Sequence, residues 1–345
     1  MRALICLGPG QVELQERPVP EPGPGEVLLR VLAAGVCATD NKAMTRGHPR
    51  VRPPRVLGHE VVGEVAALGP GVEGVSLGER VSLVPNFGCG WCPLCASGWT
   101  NLCPQGKAIG LDLDGAFAEY LLVPKEAVVQ GNLLPLPRGV TPELGVLAEP
   151  LAAALSAQEA LGVGPGDAVL IVGGGPMGLL NALAARARGA GWIALSERRA
   201  WRRALAERLG VDLALAPEET LSGVLKATGG RGVQAVTVTV PDPEAVRLGL
   251  ALLAPLGRIN LFAGFPAEKE EIVLKGNAIH YGNRSVVGTF AANLRQHRAA
   301  LGLLPRLELG PLITRRLRLE EAEAELIPLA FSKQEVRVVI LPEGR

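Results

Sequence analysis

Four cysteines in one short stretch have the spacing of a metal site. Cys89, Cys92, Cys95 and Cys103 are separated by two, two and seven residues. Four thiolates fill the tetrahedral shell of zinc and leave no position for water or substrate, so such a site is structural. Zinc binding to such peptides contributes about 10 to 16 kcal/mol, enough to order a loop that has no core. Free buried thiols or disulfides remain the alternative.

A second group combines Cys37 with the tripeptide Gly58-His59-Glu60. A thiolate, an imidazole and a carboxylate hold zinc while leaving a fourth position open for chemistry. The carboxylate is either Glu60 or the distant Glu149, which lies at the predicted domain junction. A buried thiol and an unrelated surface His-Glu pair are the alternative interpretation.

A third pattern, Gly173-x-Gly175-x-x-Gly178, encloses Pro176 and Met177. It follows a predicted strand at 168–172 and opens a predicted helix at 177–188. Glycines there permit a tight turn and close approach of a pyrophosphate, while the helix N-terminus offers free N–H groups. The pattern therefore predicts a dinucleotide site, with helix packing alone as the alternative.

Glu197 follows the next predicted strand, about twenty residues after the last glycine. A carboxylate at that position accepts hydrogen bonds from the adenosine ribose and repels a 2′-phosphate, which favours NAD over NADP. Arg202 and two other nearby arginines, Arg198 and Arg199, weaken the preference, so NADP is not excluded.

Two regions of the chain, which differ in their pattern of predicted strands and helices, position these groups. Up to about residue 130 the chain alternates short strands with Gly and Pro, which is typical of an antiparallel barrel. After residue 150, helices alternate with compact β-branched runs, as in a doubly wound parallel sheet. The fold class is α/β, with one domain at 1–150 and 288–345 and the other at 151–287.

Composition excludes several classes of function. The 345 residues carry 35 Lys plus Arg against 34 Asp plus Glu, a formal charge of +1, so no basic field for nucleic acid exists. No apolar stretch approaches a membrane span, and no secretory segment is visible, so we expect a cytoplasmic protein without membrane or nucleic-acid partners. His48 and His297 are predicted surface residues.

In this order, the motifs resemble those of the zinc-containing medium-chain alcohol dehydrogenases, in particular the sorbitol (L-iditol) and threonine dehydrogenase branch. They are Gly58-His59-Glu60-x2-Gly63-x5-Gly69, the four-cysteine loop, Glu149-Pro150 and the glycine turn. The resemblance implies a GroES-like barrel with the catalytic residues, a Rossmann domain that binds NAD, two zinc ions per chain, and a homotetramer or homodimer.

The resemblance also implies roles. Cys37, His59 and one of the two carboxylates would hold the catalytic zinc. Thr39 would begin a proton relay, and Asp40 would accept a hydrogen bond from His59. Many relatives have a histidine where this chain has Lys42. Either the relay ends differently, or the lysine contacts a carboxylate or phosphate of the substrate; a solvated surface lysine is the other interpretation.

The predicted activity is hydride transfer between NAD and a secondary alcohol or its ketone. A polyol or sugar alcohol is the first expected substrate, and L-threonine, a sugar acid or a sugar phosphate is the alternative. A zinc- and nucleotide-binding protein without catalytic activity is a further alternative, from a different functional class.

Overall fold

The computed structural model describes residues 1–332 and 334–342. Two compact units divide the chain: Met1–Glu149 with Ala292–Arg345, and Pro150–Ala291. The sequence analysis predicts the divisions at 150/151 and 287/288.

The strands, in chain order, are β1 (Arg2–Gly8), β2 (Gln11–Glu16), β3 (Val27–Val36), β4 (Arg55–Val56), β5 (Glu60–Leu68), β6 (Arg80–Leu83), β7 (Asn86–Phe87), β8 (Lys107–Ala108), β9 (Tyr120–Val123), β10 (Leu133–Pro135), β11 (Ala168–Val172), β12 (Trp192–Ser196), β13 (Leu213–Leu215), β14 (Val233–Val238), β15 (Leu253–Leu261), β16 (Ser285–Gly288), β17 (Ile313–Leu317) and β18 (Arg337–Ile340).

The helices are α1 (Ala38–Arg46), α2 (Pro93–Ala96), α3 (Lys125–Val129), α4 (Pro142–Gly145), α5 (Ala148–Ala160), α6 (Pro176–Ala187), α7 (Ala200–Arg208), α8 (Pro217–Ala227), α9 (Pro243–Leu252), α10 (Gly276–His280), α11 (Leu294–Leu303) and α12 (Leu319–Ser332). Across the described ranges, none of them is long and apolar enough to cross a bilayer.

The first unit is organised around β3, whose run of Val, Leu and Ala is almost entirely buried. A seven-stranded sheet has the order β10-β6-β5-β3-β18-β17, and β9 also pairs with β3. The pairings of β3 with β5, β9 and β18 are all antiparallel. Strand β18 comes from the C-terminal part of the chain, so this sheet joins both ends of the sequence.

The second unit is a six-stranded parallel sheet with the order β13-β12-β11-β14-β15-β16. Four of the five residues of β11 are buried, as expected where helices cover both faces of a sheet. Strand order reverses between β11 and β14, the point where doubly wound sheets bind ligands at their carboxyl ends. The predicted α/β class and the parallel sheet are confirmed.

One element is not anticipated by the sequence analysis and one prediction is wrong. The sequence analysis describes only short strands and turns up to about residue 130, but α1 forms within that range, where Asp40 accepts a hydrogen bond from the backbone N–H of Cys37 at the helix start. His297, predicted at the surface, is 1% exposed. Its Nε2 lies 3.1 Å from Ser82 Oγ, and it shares the buried face of α11 with Ala300 and Leu301. Their helical spacing was the available signal.

The buried His297 predicts acid sensitivity. Burial lowers its pKa to about 3, whereas the unfolded chain protonates histidine near pH 6.5. The contribution of His297 to stability is therefore complete above about pH 6.5 and decreases toward pH 3 by up to about 1.4 kcal/mol per pH unit. Urea unfolding at pH 7, 6 and 5 should show this slope in the wild type but not in His297→Gln. An equal slope in both proteins, with exposed His280→Gln as control, would contradict the assignment.

Candidate metal centre and dinucleotide site

The pairing of β3 with β5 brings the second group of predicted metal ligands together. Gly35 of β3 faces Glu60 of β5 in the ladder. Cys37 follows β3 at the cap of α1, and His59 immediately precedes β5. As a result, the ligand atoms of Cys37, His59 and Glu60 all lie within 4.8 Å of one another.

The donor set fits a zinc ion. Glu60 is fully buried, yet its Oε1 has no hydrogen-bond partner among the described residues. A buried oxygen without a partner costs about 1 to 3 kcal/mol, more when it is charged, and a bound cation would remove that cost. Thiolate, imidazole and carboxylate are all ordinary zinc ligands. The structure thus brings three of the predicted ligands to one point.

The pKa values of Cys37 and His59 are shifted in opposite directions. Burial alone would raise the pKa of Cys37, but hydrogen bonding to His59 and the positive charge of that ring outweigh it and lower the pKa. Burial alone would lower the pKa of His59, but the Asp40 carboxylate and Cys37 raise it well above its usual value. Both shifts are in the direction that favours a thiolate on Cys37 and an imidazolium on His59.

Asp40 connects the two ligand segments. Its Oδ2 accepts a hydrogen bond from Cys37 N at 2.9 Å, and its Oδ1 accepts one from Gly58 N at 3.3 Å. The same Oδ1 lies 3.4 Å from Nδ1 of His59. Nδ1 has no hydrogen-bond partner among the described residues, so the fully buried Asp40 carboxylate acts on the His59 ring through its charge.

Arg337 was missed by the sequence analysis. This residue of β18 is 3% exposed and forms an ion pair with Oε2 of Glu60. The β18–β3 ladder, with Val338 opposite Val36, brings it there. One oxygen of Glu60 is therefore fixed by a guanidinium and the other is free. A single arginine inside a buried Val-rich strand was the only signal in the sequence.

Glu149, the second candidate carboxylate, lies at the start of α5. Burial raises its pKa; the positive charge of His59 acts in the opposite direction, and the Asp40 carboxylate raises it further. It does not belong to the group of mutually close ligand atoms. Glu60 is thus the carboxylate that the structure places with Cys37 and His59.

Thr39 and Lys42 lie on α1, directly after Cys37. The Thr39 hydroxyl is 3.8 Å from the Cys37 sulfur. Lys42, three residues later, is exposed and forms no ion pair within the part of the chain that the structure describes. The hydroxyl is therefore beside the metal group and the ammonium one turn further out.

The four cysteines of the loop also converge. Cys92 Sγ lies 3.8 Å from Cys103 Sγ, and Cys89 Sγ lies 4.0 Å from Cys95 Sγ. Although burial acts in the opposite direction, hydrogen bonds from backbone groups lower the pKa of Cys89 to about 7. A Cβ on Gly88 would lie 2.3 Å from the Cys95 sulfur, so glycine is required beneath the cluster. The arrangement fits the predicted structural zinc.

In the second unit, the predicted glycine turn has the geometry of a phosphate cradle. Gly173 follows β11 with φ of +104°, which favours glycine. A Cβ on Gly178 would lie 1.8 Å from the Gly173 carbonyl oxygen, so no side chain fits there. Gly175 caps α6, whose first turn contains Pro176 and Met177. The free N–H groups of that turn are available to an anion.

Glu197 directly follows β12 and its carboxylate is fixed by backbone. It accepts hydrogen bonds from Gly174 N and Arg199 N, both at 2.9 Å. Arg202 Nη1 would lie 3.9 Å from a Cβ on Gly175, so its guanidinium faces the same turn. The predicted cofactor residues of this unit therefore surround one turn.

A buried polar network supports this turn and was also missed. Gln158 Nε2 donates to Asn181 Oδ1 at 2.8 Å and lies 3.0 Å from Thr237 Oγ1. Asn181 Nδ2 donates to the Met177 carbonyl at 2.8 Å. All three side chains are fully buried, so the network fixes the first turn of α6 against the sheet.

Two known protein families match long parts of this chain. Residues 23–136 match the alcohol dehydrogenase GroES-like domain, and residues 176–306 match the zinc-binding dehydrogenase family. An L-threonine 3-dehydrogenase of Pyrococcus horikoshii is 39% identical over 78% of this chain and 77% of its own length. The chain belongs to the zinc-binding medium-chain alcohol dehydrogenase family. It is therefore a zinc-dependent dehydrogenase, and the predicted family, GroES-like and Rossmann folds and zinc dependence are confirmed.

Other relatives of this dehydrogenase show the range of the family. A sorbitol dehydrogenase of Bacillus subtilis is 30% identical over 78% of this chain and 76% of its own. A zinc-binding dehydrogenase of Sinorhizobium meliloti 1021, solved with NADP, is 31% identical with a TM-score of 0.91. An alcohol dehydrogenase of Escherichia coli CFT073, solved with NADH, is 28% identical with a TM-score of 0.88. Both structures match 99% of this chain and 99% of their own.

Gly35 provides a test of the metal centre. A Cβ at this position would lie 2.1 Å from Oε2 of Glu60, which Arg337 holds in place. We expect Gly35→Ala to displace Glu60 and to reduce bound zinc from two ions per chain toward one, measured by elemental analysis. Gly302→Ala, with no atom near its new Cβ, is the control. Two zinc ions in Gly35→Ala, released to a chelator at the wild-type rate, would refute the assignment.

The four-cysteine loop has an independent test. We expect Cys95→Ser to lose one zinc ion per chain and to make residues 88–104 sensitive to limited proteolysis, because this loop depends on the metal for its order. Cys6→Ala, at a buried cysteine outside both groups, should keep two zinc ions. Unchanged stoichiometry and an intact loop in Cys95→Ser would show that the cluster is not a zinc site.

Proposed function

We propose that the protein oxidises a secondary alcohol to a ketone with NAD as hydride acceptor, at a zinc held by Cys37, His59 and Glu60. The observation that carries the proposal is the convergence of these three ligand atoms within 4.8 Å, with the Thr39 hydroxyl 3.8 Å from the Cys37 sulfur. When bound, zinc supplies the Lewis acid that makes an alcohol more acidic, and NAD supplies the hydride acceptor.

The chain's own residues position and protect the reacting groups. Thr39 presents a hydroxyl that accepts the substrate proton and passes its own proton on. Asp40 acts on the His59 ring through the charge of its carboxylate, which lies 3.4 Å from Nδ1. Arg337 holds one oxygen of Glu60, which directs the other oxygen to the metal.

NAD is the proposed cofactor because Glu197 has its carboxylate fixed at the end of β12. In that position it would accept hydrogen bonds from the adenosine ribose and repel a 2′-phosphate. The relatives solved with NADH and with NADP show that the fold accommodates either cofactor. The choice therefore depends on Glu197 and its neighbouring arginines.

The proposed substrate is a small molecule with a secondary hydroxyl next to a carbon that carries a polar group. L-threonine and sorbitol, named for two relatives, both have this pattern. The higher identity to the threonine enzyme favours a β-hydroxy acid, and a polyol remains the second candidate. We further propose that the protein acts in the cytoplasm, as six cysteines without disulfides suit, and that it assembles as a homodimer or homotetramer.

The experiment is formation of reduced nicotinamide at 340 nm on L-threonine, sugar acids, sugar phosphates and polyols, with NAD and NADP in parallel. We expect turnover with NAD that a chelator abolishes and zinc restores. Cys37→Ser should lose at least about a hundredfold in kcat/KM, whereas Cys6→Ala should not. NAD binding without any turnover, at one zinc per chain, would instead support a non-catalytic zinc- and nucleotide-binding protein.

A further inference from the structure

The segment that follows Cys37 and Thr39 in the chain is rich in cationic side chains. Residues 42–55 contain five Lys or Arg and no Asp or Glu, in a chain whose overall formal charge is only +1. The segment covers the end of α1 and the loop that leads to β4. This positive charge is therefore local.

Lys42 is connected to the centre by α1. It lies three residues after Thr39, and side chains at that spacing are neighbours on one helical face. The helical rise places the two Cα atoms about 4.5 Å apart along the axis. The ammonium is exposed and has no carboxylate within 4.0 Å in the described ranges. It is thus available one turn outward from the Thr39 hydroxyl.

His48 follows the end of α1 and contacts Arg50. Burial and the positive charges of Lys42 and Arg50 lower its pKa, while Asp112 and Asp40 act in the opposite direction. Its Nδ1 accepts a hydrogen bond from Arg50 N at 3.3 Å. The proton of the neutral ring is therefore on Nε2, which is a donor.

Arg50 is held in place by the first unit. Its Nε lies 3.2 Å from Asp112 Oδ1, and its Nη2 contacts the other carboxylate oxygen. Asp112 in turn accepts a hydrogen bond from Ala108 N at 2.7 Å. The loop that follows packs on the ligand segment, because Ala116 N donates to the Gly58 carbonyl at 2.9 Å. The guanidinium is thereby anchored to the loop that contacts the ligand segment before β5.

The same loop borders a pocket of about 310 Å³. Three guanidinium groups line it, from Arg50, Arg52 and Arg55, together with the carboxylate of Asp112 and the ring of Pro49. Arg55 pairs with Asp114, and Arg52 is exposed with no ion pair in the described part of the chain. The pocket therefore has a net positive lining, which suits an oxyanion.

We propose that Lys42, His48 and Arg50 form an anion-recognition surface that binds a carboxylate or phosphate carried by the substrate. The inference rests on the proposed function and specifies its substrate class: a hydroxy acid or a phosphorylated polyol in preference to a neutral polyol. The oxidised hydroxyl lies at Thr39 and the anionic group one helical turn away.

The test compares substrates that differ in charge and share a carbon skeleton. The zinc-loaded enzyme is assayed with NAD on galactonate, galactitol 1-phosphate and neutral galactitol, and on L-threonine against L-threonine amide. We expect kcat/KM to be at least tenfold higher for the carboxylate or the phosphate, whichever this surface prefers. High salt should reduce the preference, because it screens exposed charges.

The Lys42→Met variant separates recognition of the anionic group from the hydride-transfer step. We expect it to raise KM for the anionic substrate at least tenfold with kcat within twofold, and to leave galactitol and L-threonine amide unchanged; Lys42→Arg should restore most of the affinity. Lys226→Met, at an exposed lysine on α8, is the matched control. Equal kcat/KM for charged and neutral substrates would overturn the inference, and so would an unchanged KM in Lys42→Met. In either case, NAD-linked turnover would still support the proposed function.

A binding measurement keeps the two proposals separate if no substrate turns over. Calorimetry of the zinc-loaded protein with NADH is made with galactonate, galactitol 1-phosphate and galactitol. Tighter binding of an anionic ligand, lost in Lys42→Met, would support the surface even where oxidation fails. Equal binding of all three ligands would refute it.

Discussion

The site depends on one pairing, the antiparallel ladder between β3 and β5 with Gly35 opposite Glu60. This register places the end of one strand, where Cys37 begins α1, beside the start of the other, where His59 and Glu60 lie. A slip of one residue would turn Glu60 to the other face of the sheet. Gly35 has no side chain, and its missing Cβ leaves the space that the Glu60 carboxylate occupies. Asp40 then ties the two segments together through hydrogen bonds to Cys37 N and Gly58 N.

Features that depend on local spacing could be predicted from the sequence. The four cysteines lie within one short loop, and the glycine turn lies between a strand and the helix that follows it. Features that depend on distant pairing could not be predicted. Arg337 reaches Glu60 only through the β18–β3 ladder, and the choice between Glu60 and Glu149 depends on which carboxylate the fold brings within reach. The burial of His297 is not predicted because its neighbours in the chain, Gln296 and Arg298, are of residue types that usually lie at the surface.

The two candidate zinc sites are stabilised in different ways. The cysteine loop lacks a core of its own, so its order depends on the ion that it binds. The Cys37 group is held by the sheet, by Asp40 and by Arg337 before any metal arrives, so it can keep an open position without collapsing. Beyond it, α1 presents Thr39 and, one turn further out, the exposed Lys42, so the proposed anion-recognition surface lies on the solvent side of the proposed reacting group. Chemistry and recognition are thus arranged along one short helix.

The central claim is that Cys37, His59 and Glu60 hold a zinc ion while the four cysteines hold another. Anomalous diffraction at the zinc edge from crystals of the full chain tests it most directly. The account predicts two peaks per chain, one about 2.3 Å from the Cys37 sulfur and about 2.1 Å from a His59 nitrogen, and one among the four cysteines. A single peak at the cysteine loop, in protein saturated with zinc, would contradict it.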